Sequence, residues 1–463
     1  MNDLLAFLDK IFVAYNDYIG GYALLIILIP TGLFFSIKFK FLPILKLGHS
    51  YRVIRYESTG DIGDINHFKA LTTALSATIG TGNIVGVALA LYWGGPGAIF
   101  WMWVTGLLGM ILKFVECTLS TKYRKLNSDG SVSGGPMYYM EMGLKSMLGP
   151  FAKVLAVIFA GATILCSLGT GNMAQSHSIS DALFTNYNFP VWATGLGITT
   201  VVLLVIVGGI KRIANVTARL VPFMAVAYFS SAILILIIFY DRIPPAIAMI
   251  FTDAFTGTAA TGGFVGSVFI MTLVWGVRRG LFSNEAGQGS AAIAHAAART
   301  KYPVREGLVA SVGPLIDTLI ICTITALVII VSGAWQSDIK GVGMTVEGFS
   351  IGLSKIGLGG IGRHIVAGGL LLFAFSTIIA WSYYGTRAAN YLLGEKSIKP
   401  YRYVYGVFVF IGSVWGIDIV WHFVDMVITF MTIPNLIALL LLTPVVSKEI
   451  KLYFSDMKAI KKN

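Results

Sequence analysis

Residues 76 to 83 read Ser-Ala-Thr-Ile-Gly-Thr-Gly-Asn and interrupt an otherwise apolar run from 67 to 92. Gly80, Gly82 and Asn83 stand where a membrane-crossing helix should be most regular. In hydrocarbon an unsatisfied backbone N–H or C=O is costly, so a helix unwinds only where something else satisfies its main chain. A half-helix ending near Ile79 leaves free carbonyls that attract a cation or an ammonium group. A half-helix starting near Gly82 leaves free amides that attract a carboxylate. The two sets lie close enough to serve a zwitterion, and glycine lets backbone approach a ligand with no Cβ between. The plainer alternative is that these glycines only let helices pack closely.

A second interrupted run, GFVGSVFIMTLVWGVRRGLFSNEAGQGSAAIAHA, covers 263–296. Its break is expected around Thr272, Leu273, Val274, Trp275 and Gly276, with Trp275 either walling a small-substrate pocket or simply packing. Ser376 and Thr377, adjacent in LLFAFSTIIAW, offer hard oxygens to a small alkali cation. Back-bonding of each hydroxyl to a carbonyl one turn earlier is the competing use, and the residues alone favour it. Asn172 and Gln175 could reach a substrate or bridge helices. Arg278, Arg279 and Glu285 should pair or line water, with Asp317 a partner for Arg278. Lys113 and Glu116, three apart, read as a self-satisfied pair. His177 and His295 have no companions at metal-ligand spacing and read as structural.

These residues need elements to hold them, and composition says which. The chain has 463 residues, 56% hydrophobic and 12% charged, with a mean hydropathy of +0.78. Soluble domains carry roughly 25% charged residues, so this is an all-α, polytopic membrane protein. The net charge of +12 lies in short loops and serves as an orientation signal, which excludes nucleic acid as the partner. Cys117, Cys166 and Cys322 fall inside apolar spans and are expected as free thiols. Asp3, Asp9 and Lys10 break up the N-terminus, so no cleavable signal is expected. No cluster suited to catalysis is present, which argues against an enzyme.

Eleven spans can be drawn, near 20–37, 67–92, 97–118, 151–180, 190–209, 217–240, 263–296, 305–333, 363–390, 401–417 and 422–446. The loops then place 24 lysines and arginines on one side and 5 on the other. That bias predicts an outside N-terminus, a cytoplasmic C-terminus and a multi-pass protein of the cell membrane. The two interrupted spans are five apart and so cross in opposite directions. The expected organisation is an extra N-terminal helix and linker (1–66), two inverted five-helix halves (67–240 and 263–446) and a basic cytoplasmic tail (447–463).

Four strings, TIGTGNIVGVA (78–88), GGPGAIFWMWVTGLLGM (94–110), GGPMYYMEMGL (134–144) and GLFSNEAGQGSAAIAHAAA (280–298), together resemble the alanine or glycine:cation symporters. The resemblance implies sodium-coupled uptake of small neutral amino acids and the LeuT-type 5+5 inverted repeat. It also implies a substrate carboxylate at the amides of Thr81 and Gly82 and an ammonium group at the Thr78 carbonyl. Sodium falls between the carbonyls of Ser76 and Ile79 and, in FSTIIAW, the Phe373 carbonyl with the hydroxyls of Ser376 and Thr377. Asn83 matches a position used for a second sodium in relatives. The expected partners are therefore a small neutral amino acid, sodium and the bilayer, with no organic cofactor and a monomer as the assembly. The rival is a proton-coupled transporter with Asp317 or Glu116 carrying the proton.

Overall fold

A computed structural model describes residues 2–55, 61–128, 130–256, 265–415 and 418–460. The apolar runs form helices, and glycines, prolines and short polar strings divide them. The first are α1 (Asn2–Tyr15) and α2 (Gly21–Lys38), joined by a π-turn at Asn16–Gly20. α3 (His67–Thr78) and α4 (Val85–Gly94) are the halves of the first interrupted run, and α5 (Gly97–Lys122) follows. α6 (Phe151–Leu168) continues into α7 (Ala174–Tyr187) through a second π-turn at Gly169–Met173. α8 (Val191–Ile206) and α9 (Gly209–Ile238) lead to α10 (Val265–Asn284) and the short α11 (Ser290–His295). α12 (Pro303–Ala310) and α13 (Thr323–Ser332) flank a third π-turn at Leu315–Cys322. α14 (Gly359–Leu393), α15 (Ile398–Val414), α16 (Asp418–Leu441) and α17 (Thr443–Ile460) are the last of the long helices, and shorter ones, among them Ile243–Thr256 and Val342–Ser354, lie between those named. The basic tail is thus mostly helix, tied back by Lys122 to Glu449 at 2.7 Å.

Among the described residues seven helical stretches are long and apolar enough to cross a membrane, and Val85–Gly94 and Val191–Ile206 are shorter apolar helices. The run 67–92 does not register as one long helix because it is divided. α3 starts on a cap, with Asn66 Oδ1 accepting from Lys69 N at 2.9 Å. It stops at Thr78, where Ile79 turns away and Gly80 is extended, before a single 3₁₀ turn at Thr81–Asn83.

The second break is not where the residues suggested. α10 runs unbroken through Thr272, Trp275 and Gly276. The interruption lies at 285–289, where Glu285, Gly287 and Gly289 have φ of +54°, +83° and +78°. Gly276 is a packing glycine: a Cβ there would lie 2.4 Å from the Ala98 carbonyl oxygen. Glu285 is the residue that sequence cannot flag, because a non-glycine in the left-handed region is uncommon. Its carboxylate accepts from Ser290 Oγ at 2.6 Å and Trp381 Nε1 at 3.0 Å, which holds the turn.

One end of the two divided helices is fastened shut. Asp64 N donates to Ala297 O and Arg299 N to Ile65 O, both at 2.7 Å. Arg124 donates to the carbonyls of Ile62, Ala296, Ala298 and Thr300. Behind this clamp Glu306, fully buried on α12, bonds Nδ1 of His67 through one oxygen and Nδ1 of His295 through the other, the latter at 2.6 Å. These are the first residue of α3 and the last of α11, so one carboxylate ties both divided helices together.

Candidate functional site

The break in α3 frees the groups expected of it. Gly80 N donates to the Asn83 side chain at 3.0 Å instead of to a carbonyl one turn back. The Ser76 carbonyl, released from the ladder, accepts from Ser376 Oγ at 3.2 Å and Thr377 Oγ1 at 3.1 Å. The same two hydroxyls reach the Phe373 carbonyl at 2.9 and 3.1 Å. Ser76 Oγ returns a bond to Ser376 O at 2.7 Å. Two carbonyls and two hydroxyls from α3 and α14 therefore converge on one point, and all four residues are buried. Among the described residues the carbonyls of Thr78 and Ile79 and the amides of Thr81 and Gly82 take no hydrogen-bond partner. Ile79 stands one turn beyond Ser76 on the same strand of the break. What converges is a set of hard, uncharged oxygens, the donor type that replaces the water around an alkali cation.

Gln175, at the start of α7, donates to Thr81 Oγ1 and to the Thr170 carbonyl, each at 3.1 Å, and its own buried Oε1 has no partner. Asn172 is turned outward from the break, donating to the Tyr405 carbonyl at 2.8 Å. It braces α15 against the π-turn, the helix-bridging use. Asn83 is a hub between the two divided helices. Its Nδ2 lies 2.6 Å from Asp317 Oδ1 and 3.3 Å from Ser283 Oγ, and Ser283 Oγ donates to Asp317 Oδ2 at 2.7 Å. Asp317 is thus met by Asn83, Ser283 and Thr318 rather than by Arg278, which bonds the Asn16 carbonyl and faces Asp17 at 3.9 Å. Among the described residues Glu116 makes no ion pair within 4 Å, although the charge of Lys113 acts on it as expected, and its Oε1 accepts from Asn435 Nδ2 at 2.8 Å.

A cavity of about 690 Å³ opens on Thr81, Val85 and Gly86, away from the clamped end. Trp275 and Phe282 form part of its wall, and Trp275 stacks on Trp93 at 5.8 Å. Thr272 is not in that wall; its hydroxyl donates to the Gly94 carbonyl at 2.9 Å. Phe282 and Ser283 crowd Gly82, where a Cβ would lie 3.1 and 3.2 Å from them. Arg279 spans the cavity to Asp425 at 3.8 Å with its guanidinium over the rings of Trp275 and Phe282. Phe282, Ser283 and Asp425 escaped the sequence reading. The first two sit in the quoted string GLFSNEAGQG just before its glycines, which was the available signal; Asp425 carried none.

The family model for the sodium:alanine symporter family matches residues 5–463. The chain is 41% identical to the sodium/alanine symporter AgcS of Methanococcus maripaludis, covering 97% of this chain and 98% of that protein. It is 36% identical to a probable sodium/glutamine symporter, GlnT, of Bacillus subtilis, over 96% of this chain and 90% of that one. The crystal structure of MhsT in complex with L-phenylalanine superposes with a TM-score of 0.57 at 13% identity, covering 83% of this chain and 90% of MhsT. That likeness gives a LeuT-type fold.

Proposed function

The chain belongs to the sodium:alanine symporter family, and from that premise we propose that it imports alanine and glycine with sodium by alternating access. The observation that carries the ion assignment is the convergence of Ser76 O, Phe373 O, Ser376 Oγ and Thr377 Oγ1. Sodium seated there, with the Ile79 carbonyl added, bridges α3 to α14 and holds the break in its binding shape. The amino acid then docks with its carboxylate on the amides of Thr81 and Gly82 and its ammonium on the Thr78 carbonyl. Gln175 orients the Thr81 hydroxyl beside it, and Gly80 keeps the approach free of a side chain. Phe282 and Trp275 limit the room for the substrate's own side chain. Each surplus methylene against such a wall is worth about 1–3 kcal/mol, so size selection is graded.

The same reading has eleven crossings, two inverted halves (67–240 and 263–446) and one monomer holding a complete site. The N-terminus lies outside and the C-terminus in the cytoplasm. The cavity then faces outward and the Arg124 clamp closes the cytoplasmic path. Release inward needs the clamp to part while Arg279, Asp425 and Phe282 close over the cavity.

Uptake of labelled alanine and glycine into proteoliposomes, under a sodium gradient or a pH gradient alone, tests this. We expect the sodium gradient to drive uptake and the pH gradient to leave it at background. The opposite result assigns coupling to a proton on Asp317, whose carboxylate is fully buried with no ion pair among the described residues. Ser376→Ala combined with Thr377→Ala is expected to raise the sodium concentration for half-maximal uptake by about 100-fold or more, at roughly 1.5–3 kcal/mol per lost contact to a charge. An unchanged half-maximal concentration removes those hydroxyls from the ion shell.

A further inference from the structure

We propose that a basic recess where α8 passes into α9 and α14 into α15 binds the phosphate headgroup of an anionic glycerophospholipid. The recess has a volume of about 670 Å³ and is lined by five cations, Lys211, Arg387, Lys396, Lys399 and Arg402. Two acids also line it; both accept hydrogen bonds from neighbours, and the Asp64 charge acts on Arg387 without an ion pair within 4 Å. Asp64 Oδ2 accepts from Val132 N at 3.1 Å, and Glu395 accepts from Ser128 Oγ at 2.9 and 3.1 Å. Among the described residues none of the five cations forms a salt bridge.

Arg387 is what makes this more than a charged surface. It is 7% exposed, and its Nη1 donates to Ser133 Oγ at 3.0 Å while its buried Nε has no partner. A buried guanidinium with an unmet donor is costly unless an anion completes it. Arg402 is held beside it, donating to the Val207 carbonyl at 3.0 Å. Two planar forks fixed at the rim of one recess suit the oxygens of a phosphate.

The flank of the recess selects the source of that phosphate. Val207 lines it, and beyond it Leu204 on α8 and Val404 and Val407 on α15 are exposed at 64, 46 and 57%. α8 and α15 pack on each other, so these side chains form an apolar strip leading from the cations into the bilayer. A phosphodiester with acyl chains attached satisfies both halves, and basic pockets between membrane helices are where anionic headgroups settle. The proposal rests on the membrane placement alone and is independent of the transported substrate.

The test uses the full-length protein in neutral detergent, with lipid retention followed by native mass spectrometry. Phosphatidylglycerol, phosphatidylcholine with the same chains and millimolar inorganic phosphate are the three probes. We expect phosphatidylglycerol to be retained at least tenfold better than phosphatidylcholine. Lys211→Gln with Lys399→Gln, both exposed positions, should weaken that retention by roughly five-fold per charge removed, and Arg387→Gln should abolish it. Equal retention of the two lipids, or retention untouched by the double lysine change, overturns the proposal. Displacement of the lipid by inorganic phosphate overturns the lipid assignment in favour of a free anion.

Discussion

Gly80→Ala should abolish sodium-dependent uptake while leaving the fold intact. The φ at Gly80 is −141°, outside the left-handed region that favours glycine, so the sign of φ does not exclude alanine. The obstacle is contact: a Cβ at 80 would lie 2.6 Å from Thr377 Oγ1. Threonine is stiff at χ1. Relief comes either from rotating the hydroxyl away from the carbonyls of Ser76 and Phe373 or from prising α14 off the break. Overpacking of this kind costs about 1–3 kcal/mol and a lost contact to a cation about 1.5–3. A fall in sodium affinity of roughly 100-fold or more follows from those two together. A double-mutant cycle separates the cause from general damage. Thr377→Ala removes the colliding oxygen, so adding Gly80→Ala to it should cost little more. Sodium affinity unchanged in Gly80→Ala alone defeats the assignment of this point to the ion.

The second large effect is expected at Glu306. Glu306→Ala leaves Nδ1 of His67 and of His295 buried with no acceptor and removes the link between α3 and α11. Breaking a buried charged network by deleting one partner costs about 3–5 kcal/mol. In the proposed cycle that energy is lost from the closed arrangement of this end, since parting the clamp would expose the groups to water. Cys117, on α5, is fully buried against Ala292 and Ala310 just beneath the same corner. Its alkylation by a small permeant maleimide, read by peptide mass spectrometry, should be slow in the parent protein and at least tenfold faster in Glu306→Ala. Glu306→Gln, which keeps one acceptor, should fall between. Unaltered alkylation in both variants shows that the carboxylate does not hold this end closed.

The first interruption was legible because its signal is local: three permissive residues stand together inside an apolar run, and a second interrupted run five spans later weighs against packing alone. The pairing of Ser76 with Ser376 and Thr377 was legible only through resemblance, since residues 300 apart in sequence carry no local sign of meeting. The second interruption was misplaced for a physical reason. Gly276 has the residue type of a break but serves the close approach of α5. Glu285 has the residue type of a helix former, yet Ser290 and Trp381 hold it in the left-handed region. The partner of Asp317 was misassigned in the same way. Arg278 was the opposite charge expected for it, but Asn83 and Ser283 from the two divided helices meet it instead. His295 was read as structural, and it is a tether to Glu306 on α12, a carboxylate shared with His67 of α3 and out of reach of any spacing argument.

The four oxygens that meet between α3 and α14 come from two peptide groups and two alcohols, none of which carries a formal charge. If sodium sits there as proposed, the seat itself contributes no charge when empty and gains one positive charge for each ion it holds. Membrane voltage would then act on the filled seat, at about 2.3 kcal/mol per charge per 100 mV.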